Sequence, residues 1–492
     1  MSAGSSNSFP PPPGGAATRT PAPPRAAAVD SATRSHQPAP LSDPRDHLER
    51  TLGLGDTIML AVSSVIGVGI FLTPGSVAAL VPEPRLFLLA WVVGGGLSLA
   101  GALANAEMGA IFPRAGGDYV WLRVAFHPLA GFLVGWLTFF VIYAGTVATL
   151  AAGFADSLGH FLPLPAPARL GVAIAAIVAA TLLNVRGVRL AALLNDLTGW
   201  VKVGALATLA IAGWLVTPEA LPEAAAAQPA LAPVTASGFA LALSPILFSY
   251  LGWNAPVYVA SEIRAPDRVL PRALFIGLGL CTALYLLLNA LYVHALPGGQ
   301  LAGVPAAGSA AATVLFGPLG GRLISGLILI SVAGCLSATV LVGPRIAYAM
   351  ALDGHFIAGV ERVHPRYHTP HVALWLQAGV SIALLLLLQR FPSVLDYTTF
   401  AIVLATTADV AALYVLRWRR PDLERPYRAW GYPWVPALYL LANAGIALGM
   451  LAGRPLECLI ALGVAATALP FWWLLDARRR AHGGVPSSGA PD

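Results

Sequence analysis

The sequence predicts an all-α integral membrane protein with twelve transmembrane helices, and two observations predict this fold class. The 492-residue chain is 57% hydrophobic and 11% charged, with a mean hydropathy of +0.73, whereas about a quarter of the residues in a soluble domain are charged. Apolar runs of about 20 residues, long enough to cross a bilayer as a helix, recur along the chain. We count twelve, centred near residues 67, 98, 141, 177, 203, 249, 284, 332, 380, 404, 441 and 465.

The two ends of the chain differ from the spans. Residues 1–50 are rich in Pro, Ala, Gly and Ser and include the stretch PPPGGAATRTPAPPRAAA, which buries too little apolar surface to become ordered. We therefore predict a disordered N-terminal tail that carries no secretory signal peptide. Residues 481–492 predict a second disordered tail, and residues 51–480 predict one transmembrane domain.

The arginines predict how the chain is oriented. Excess Lys and Arg marks cytoplasmic loops, and an even number of spans places both termini on one side. With both termini cytoplasmic, 23 of the 28 arginines lie inside, and the exceptions are Arg85, Arg169, Arg322, Arg390 and Arg454. The net charge of +6 is then a signal of topology in the cytoplasmic membrane. No basic face is left over that would indicate nucleic-acid binding.

The first span contains a predicted helix break in the stretch VSSVIGVGIFLTPG. Gly67 and Gly69 lie in mid-membrane, and each costs about 1 kcal/mol of helix stability relative to alanine. Non-helical backbone at that depth is tolerated where it lines a cavity or is covered by protein. A break would expose N–H groups that attract a carboxylate and carbonyls that attract an ammonium group. A small-residue packing face is the alternative.

The fifth span carries the only lysine of the chain, Lys202, in the stretch LTGWVKVGALATL. It lies about 20 Å along the helix from either end, and an unpaired charge there costs at least about 2.5–3.5 kcal/mol. The lysine must therefore face a polar cavity or find carbonyl and hydroxyl partners. A cation at this place could hold broken helix ends together as a bound sodium ion does, and a purely structural lysine is the alternative.

The sixth span is the second candidate for a broken helix. Its stretch FSYLGWN places polar and bulky side chains beside Gly252 in the middle of the span. If spans one to five and six to ten are inverted repeats, spans one and six occupy equivalent positions. Paired interruptions at equivalent positions indicate the binding site of a transporter.

These motifs resemble a known family over about residues 50–475. IGVGIF in span one, FSYLGWN followed by EIRAPDRVLPRA, GPRIAYAMALDGHF, VHPRYHTP and NAEMGAIFPRAGGDYVWLR are similar to the amino acid–polyamine–organocation superfamily, and most similar to its L-type amino acid transporter group. The resemblance implies the five-plus-five inverted-repeat fold first seen in a sodium-coupled leucine transporter. In that fold helices one and six are broken and two further helices follow at the C-terminal end.

The resemblance also implies a substrate site at the two breaks. The carboxylate would bind the N–H groups of Gly67, Val68 and Gly69, and the amine would meet nearby carbonyls. Phe248 would close over the substrate. The implied substrate-binding residues are Val65, Ile66, Gly67, Val68, Gly69, Ile70, Phe248, Ser249, Leu251, Gly252, Trp253 and Asn254. Lys202 matches the lysine that lies near the sodium position of sodium-coupled relatives, with Cys335 and Ser337 as expected partners.

The predicted function is secondary active transport of neutral L-amino acids by alternating access, as sodium-independent exchange with Lys202 in place of sodium. A proton symporter that uses Lys202 is the alternative. A multispan membrane enzyme is disfavoured because the external loops are short and poor in acids. The absence of an acidic residue from the expected pocket argues against cationic substrates, and the bulk of Val68 and Leu251 favours small or medium side chains.

No cofactor, metal or disulfide-linked heavy chain is expected. Cys281, Cys335 and Cys458 lie within spans without metal-site spacing. The loop LGHFLPLPAPARLG has no cysteine, where animal members use one to bind a heavy chain. We expect loop ion pairs to explain the acidic residues Glu107, Asp118, Glu262 and Asp267.

Overall fold

The structure is a computed structural model, and it describes residues 48–159, 161–216, 233–297, 299–388 and 391–481. Nearly all of the predicted N-terminal tail and of the predicted C-terminal tail lies outside the described residues, so both remain predictions. Within these ranges the chain is helical, and its only strand-like pairings are two isolated bridges, Leu52 with Ile263 and Ala115 with Val259. The all-α class is therefore confirmed for the described part of the chain.

Seventeen α-helices form over the described residues. They are α1 Leu54–Val65, α2 Gly69–Leu80, α3 Pro84–Ile111, α4 Asp118–Ala125, α5 Pro128–Leu137, α6 Ala144–Gly159, α7 Ala166–Val185, α8 Val188–Trp214, α9 Ala236–Ser249, α10 Ala255–Tyr258, α11 Pro266–Ala295, α12 Ala307–Val342, α13 Pro344–Leu352, α14 His371–Leu388, α15 Phe391–Arg419, α16 Trp434–Gly453 and α17 Pro455–Ala481. A π-helical segment, Thr138–Tyr143, joins α5 to α6, and a 3₁₀ turn, Ala260–Glu262, follows α10.

Nine helical stretches of the described chain are long and apolar enough to cross a membrane, counting α5 to α6 and α12 to α13 as one stretch each. The pair α1 and α2 passes the same test as one span bent by 42°. Two apolar helices, α9 and α14, are shorter. Leucines on the outer helices α16 and α17 are widely exposed, as expected of side chains that meet lipid: Leu438, Leu441, Leu448, Leu456 and Leu459.

The broken first span lies in the middle of the bundle. Helix α1 packs against α8, α11 and α12, and α2 packs against α9 and α12. Helix α3 packs against α11 and α9, so the interruption between α1 and α2 is covered on several sides by other helices. This placement satisfies the condition under which a lipid bilayer tolerates non-helical backbone at mid-depth.

Candidate functional site

The first helix break has unused N–H groups. Helix α1 ends at Val65 and α2 begins at Gly69, as the glycines predicted. The N–H groups of Val68, Gly69 and Ile70 donate to no acceptor among the described residues. They lie at the N-terminus of the twelve-residue helix α2, where the helix dipole adds partial positive charge. The break therefore offers an anion three main-chain donors.

This geometry corrects the predicted donor set by one residue. The N–H of Gly67 donates to the carbonyl of Val65 at 2.8 Å and is not free, because the chain turns tightly after the end of α1. Ile70 takes its place as the third donor. The side chain of Ile70 is fully buried and points away from the cavity described below.

The carbonyl end of the same break is satisfied by side chains from three other helices. The last carbonyls of a helix have no partner within the helix. Here Ser63 O accepts from Lys202 Nζ at 3.2 Å and Ser64 O accepts from Cys335 Sγ at 3.4 Å. Val65 O accepts from Tyr285 Oη at 2.9 Å. The following residue, Ile66, has its carbonyl bonded by Ser331 Oγ at 2.9 Å.

Lys202 thus lies at the C-terminal end of α1. It is fully buried, and its ammonium group faces the negative end of the α1 dipole, which favours a cation. Neither expected partner bonds to it. Cys335 donates to Ser64 O, and Ser337 accepts from Asn184 Nδ2. Cys335 and Ser337 are two residues apart on α12 and therefore lie about 200° apart around the helix axis. Both side chains cannot face the ammonium group of Lys202.

The second break lies against the first. Helix α9 ends at Ser249 and α10 begins at Ala255. Between them Gly252 has φ of 103°, a conformation that side chains with a Cβ rarely adopt. A Cβ at Gly252 would lie 2.6 Å from Ser64 O, and a Cβ at Gly69 would lie 2.6 Å from Ser249 Cα. Each break therefore fits against the backbone of the other only because it carries glycine there.

One tyrosine hydroxyl joins the two breaks. Tyr285 Oη lies 2.9 Å from Val65 O and 3.0 Å from Ser249 O, so its single proton is shared between the ends of α1 and α9. The Ser249 hydroxyl also bonds to Thr73 Oγ1 on α2 at 2.7 Å. These bonds hold the two interrupted spans together from both sides of the gap.

The two breaks enclose a cavity of about 60 Å³, which is space for roughly five waters at about 10–15 Å³ each. Nine of the twelve predicted binding residues line it: Val65, Gly67, Val68, Gly69, Phe248, Ser249, Leu251, Gly252 and Asn254. The other three do not line it. The side chains of Ile66 and Ile70 are fully buried beside the cavity, although the Ile70 N–H is one of the free donors, and Trp253 packs against Gly101 and lines a separate small pocket with Tyr439.

Nine of the 21 residues of the cavity wall are side chains that the sequence did not indicate. The π-helical segment and α6 contribute Ile142, Tyr143, Thr146 and Leu150; α10 contributes Tyr258; α12 contributes Thr339; and α15 contributes Ile402, Ala405 and Thr406. A π-helix places its side chains differently from an α-helix and is frequent at functional sites.

Of the four acidic residues expected to form ion pairs, three are paired with arginine and one is not. Glu262 and Arg345 form a fully buried bidentate pair, with Nε to Oε1 at 2.8 Å, and Glu107 pairs with Arg417 at 2.6 Å. Asp267 makes a long, exposed contact with Arg268 at 3.7 Å. The expectation of an ion pair was wrong for Asp118, which accepts hydrogen bonds from Tyr258 Oη, Thr138 Oγ1 and its neighbour's N–H.

Comparison with known proteins gives matches over most of the chain. A family model described as amino acid permease matches residues 52–466. The serine/threonine exchanger SteT of Bacillus subtilis (strain 168) is 28% identical over 88% of this chain and 98% of its own length. The human large neutral amino acids transporter small subunit 2 is 31% identical over 87% of this chain and 80% of its own. The mouse Asc-type amino acid transporter 1 is 28% identical over 87% and 81%.

Proposed function

Because the chain belongs to the amino acid permease family, we propose that it moves small neutral L-amino acids across the cytoplasmic membrane by alternating access around the cavity between its two broken spans. It is a transporter and not an enzyme. The names of its relatives, which include a serine/threonine exchanger, a large neutral amino acids transporter subunit and an Asc-type amino acid transporter, support amino acid transport, and the first of them supports small substrates.

The observation that carries the proposal is the contrast between the two ends of the first break. The N–H groups of Val68, Gly69 and Ile70 have no partner among the described residues, whereas the carbonyls of Ser63 to Ile66 each have one. An amino acid carboxylate satisfies the free donors. The carbonyl oxygens of Ser63, Ser64 and Ile66 each keep a second lone pair, which leaves room for the amine. Val65 O already accepts from both Tyr285 Oη and the Gly67 N–H. Main-chain groups thus recognise what all amino acids share.

The cavity wall indicates an uncharged side chain. None of the described residues that line it is Asp, Glu, Lys, Arg or His, so a charged substrate side chain would lose its hydration without gaining a counter-charge. The hydroxyls of Thr146 and Thr406 and the amide of Asn254 suit a small polar side chain such as that of serine or threonine. The volume of about 60 Å³ supports small over aromatic substrates.

We further propose that the chain has twelve spans in the five-plus-five inverted arrangement. The nine long stretches, the bent pair and the two shorter apolar helices add up to twelve, and the breaks fall in the first and the sixth. Two helices, α16 and α17, then follow the ten-span core. The arginine distribution supports cytoplasmic termini, and the cysteine-free loop LGHFLPLPAPARLG supports a chain without a disulfide-linked partner.

For Lys202 we propose the role of a fixed cation that holds the end of α1, in place of a sodium ion. Its bond to Ser63 O and its complete burial support this role. Transport would then be sodium-independent exchange. If the ammonium group instead loses its proton during the cycle, the protein would be a proton symporter, and the experiment below separates the two.

The test is counterflow in proteoliposomes made with the purified protein. Vesicles preloaded with unlabelled serine should accumulate labelled serine, threonine and alanine, with no dependence on sodium and no stimulation by a pH gradient. Preloading with arginine or tryptophan should give no accumulation. Exchange of arginine, or sodium-dependent uptake, would overturn the proposal. Uptake into empty vesicles that is driven by an inward proton gradient and lost in Lys202→Met would establish the symporter.

A further inference from the structure

Two carboxyl groups are buried close together outside the cavity. Asp118 begins α4 and Asp409 lies on α15, and they are 1% and 0% exposed. Trp121 follows Asp118 by three residues on α4, which places both on one face of that helix. The indole Nε1 of Trp121 donates to Asp409 Oδ1 at 2.9 Å. Trp121 therefore links Asp409 to the helix that begins with Asp118.

All hydrogen-bond donors to this pair are electrically neutral. Asp118 accepts from Tyr258 Oη at 2.9 Å, Thr138 Oγ1 at 3.2 Å and the Tyr119 N–H at 2.8 Å. Among the described residues, Asp409 accepts only from Trp121 and from Asn105 Nδ2 at 3.2 Å. No Lys, Arg or His of the described chain pairs with either acid, in contrast to the arginine-paired Glu107 and Glu262.

Two negative charges cannot share such a site without compensation. An unpaired buried charge costs several kcal/mol, and two carboxylates that share a site raise the pKa of one of them strongly. A second observation points to a missing donor. The Oδ1 atom of Asn105, whose side chain is 1% exposed and bonds to Asp409, has no hydrogen-bond partner in the described chain. The cluster holds more acceptors than donors.

A proton fits the cluster better than a metal ion. Metal sites draw on three or more ligand side chains, and the described residues contain no group of three His, Cys, Asp or Glu that could hold a metal. An O–H on Asp409 supplies the donor that its neighbour Asn105 lacks, and a proton on either acid removes one of the two charges. Burial raises the pKa of Asp118, which lies between two spans, to about 6, so the proton exchanges in the physiological range.

The other titratable groups around the pair do not replace it. Tyr143, Tyr258 and Tyr439 face it from the π-helical segment, α10 and α16, and tyrosines, with an ordinary pKa of about 10, keep their protons at neutral pH. The Arg417–Glu107 pair lies eight residues beyond Asp409 on α15, about 12 Å along the helix. Glu107 also pairs with Arg425 at 3.4 Å, so these positive charges are directed at Glu107 and not at the two aspartates.

A hydrogen-bond chain joins the pair to the cavity. Asn254, which lines the cavity, donates from Nδ2 to Tyr258 Oη at 3.3 Å, and Tyr258 Oη donates to Asp118 Oδ2 at 2.9 Å. A charged Asp118 fixes this direction. A protonated Asp118 can donate to Tyr258 instead, and the tyrosine proton then turns towards Asn254. The amide must rotate to accept it, which exchanges the donor and acceptor that Asn254 presents to a substrate.

We propose that Asp118 and Asp409 hold one exchangeable proton between them and that its uptake or release changes amino acid affinity through Tyr258 and Asn254. The affinity part of this inference rests on the proposed function, whereas the proton site itself does not. The proton site is also separate from Lys202, which lies at the end of α1.

Two measurements on the purified protein test the proposal. Infrared difference spectra between about pH 5 and pH 8 should show the carbonyl stretch of a protonated carboxyl group, and this band should titrate within that range. The band should disappear in Asp118→Asn and shift to lower pH in Asp409→Asn, because the neighbouring charge is gone. In parallel, the serine Kd is measured over the same range. A shift of half a pKa unit on binding changes Kd by about threefold.

The variants separate the site from the coupling. Tyr258→Phe should keep the infrared band and lose the pH dependence of Kd. Asp156→Asn, at an aspartate whose side chain is 63% exposed, is the matched control and should behave as the wild type in both measurements. A band that persists in both Asp118→Asn and Asp409→Asn, or no band at all, would overturn the proton site. A serine Kd that responds to sodium at constant pH would assign the cluster to a metal cation instead.

The two proposals can fail separately. If serine does not bind at any pH while the infrared band behaves as described, the proposed substrate is wrong and the proton site stands. If serine binds with one Kd from about pH 5 to pH 8, the site is uncoupled and the affinity part of the inference is overturned.

Discussion

A methyl group at Gly69 should weaken amino acid binding more than any other single-carbon addition at the first break. The added Cβ would lie 2.6 Å from Ser249 Cα, 2.7 Å from Ser249 Oγ and 2.9 Å from Ser249 Cβ. Carbon atoms pack favourably at about 3.5–4.0 Å, so α9 would have to move by about 1 Å. The nearest atom belongs to the backbone and cannot rotate away.

The expected magnitude follows from the cost of overpacking. A forced shift in a well-packed interior costs about 1–3 kcal/mol. If this free energy is lost from amino acid binding, Kd rises by about 5- to 150-fold, because 1.4 kcal/mol corresponds to a factor of ten in Kd. The assay is a titration of serine against the purified Gly69→Ala variant, followed by thermal shift, with the melting temperature of the unliganded protein recorded in the same series.

Gly96→Ala is the matched control. Gly96 lies inside α3, and nothing lies within 4 Å of an added Cβ there. Alanine is better than glycine in a helix by about 0.5–1 kcal/mol, so this variant should melt at the same or a slightly higher temperature and bind serine normally. A Gly69→Ala protein that binds serine as the wild type does would refute the contact between the two breaks as the basis of the site.

Three further outcomes follow from the described contacts. Tyr285→Phe removes the hydroxyl shared by the two breaks and should cost about 1–3 kcal/mol of stability. Tyr292→Phe, on the same helix, removes a hydroxyl that has no partner in the described part of the chain and should leave stability unchanged, so equal melting temperatures of the two variants would contradict this. Glu262→Gln leaves the buried Arg345 without its counter-charge and should cost about 3–5 kcal/mol, measured as loss of folded protein on gel filtration after heating. Leu251→Ala removes side-chain volume from the cavity wall and so enlarges the cavity. Leucine and methionine should then compete better with serine for uptake. An unchanged rank order of competing amino acids would count against Leu251 as a determinant of substrate size.

Much of the fold could be predicted from the sequence because a membrane simplifies the problem. Apolar runs of fixed length mark the spans, and glycines in the middle of a span mark interruptions. Both breaks, at residues 66–68 and 250–254, were found in this way. The main-chain half of the site followed directly from the breaks, with an error of one residue in the donor set.

The other half of the site could not be predicted because it depends on contacts between distant spans. Ile142, Leu150 and Ile402 are ordinary apolar residues of membrane helices, and only the packing of their helices shows that they face a cavity and not lipid. The π-helical segment has no sequence signal that we can identify. Asp409 is the only acidic residue between Tyr397 and Arg419. Its proposed role depends on its proximity to Asp118, which is 291 residues away in the chain.

The reciprocal glycine contacts have a consequence for how this scaffold could acquire new substrates. In the proposed binding mode, the groups that meet the common part of every amino acid are backbone atoms, and their positions are fixed because each break packs against the other. The side chains proposed to meet the variable part include Asn254 at the second break, Thr146 on α6 and Thr406 on α15, and the last two lie outside the contact between the breaks. New substrates could therefore be accommodated by exchanging residues on α6 and α15, while the backbone groups that bind the common part stay unchanged.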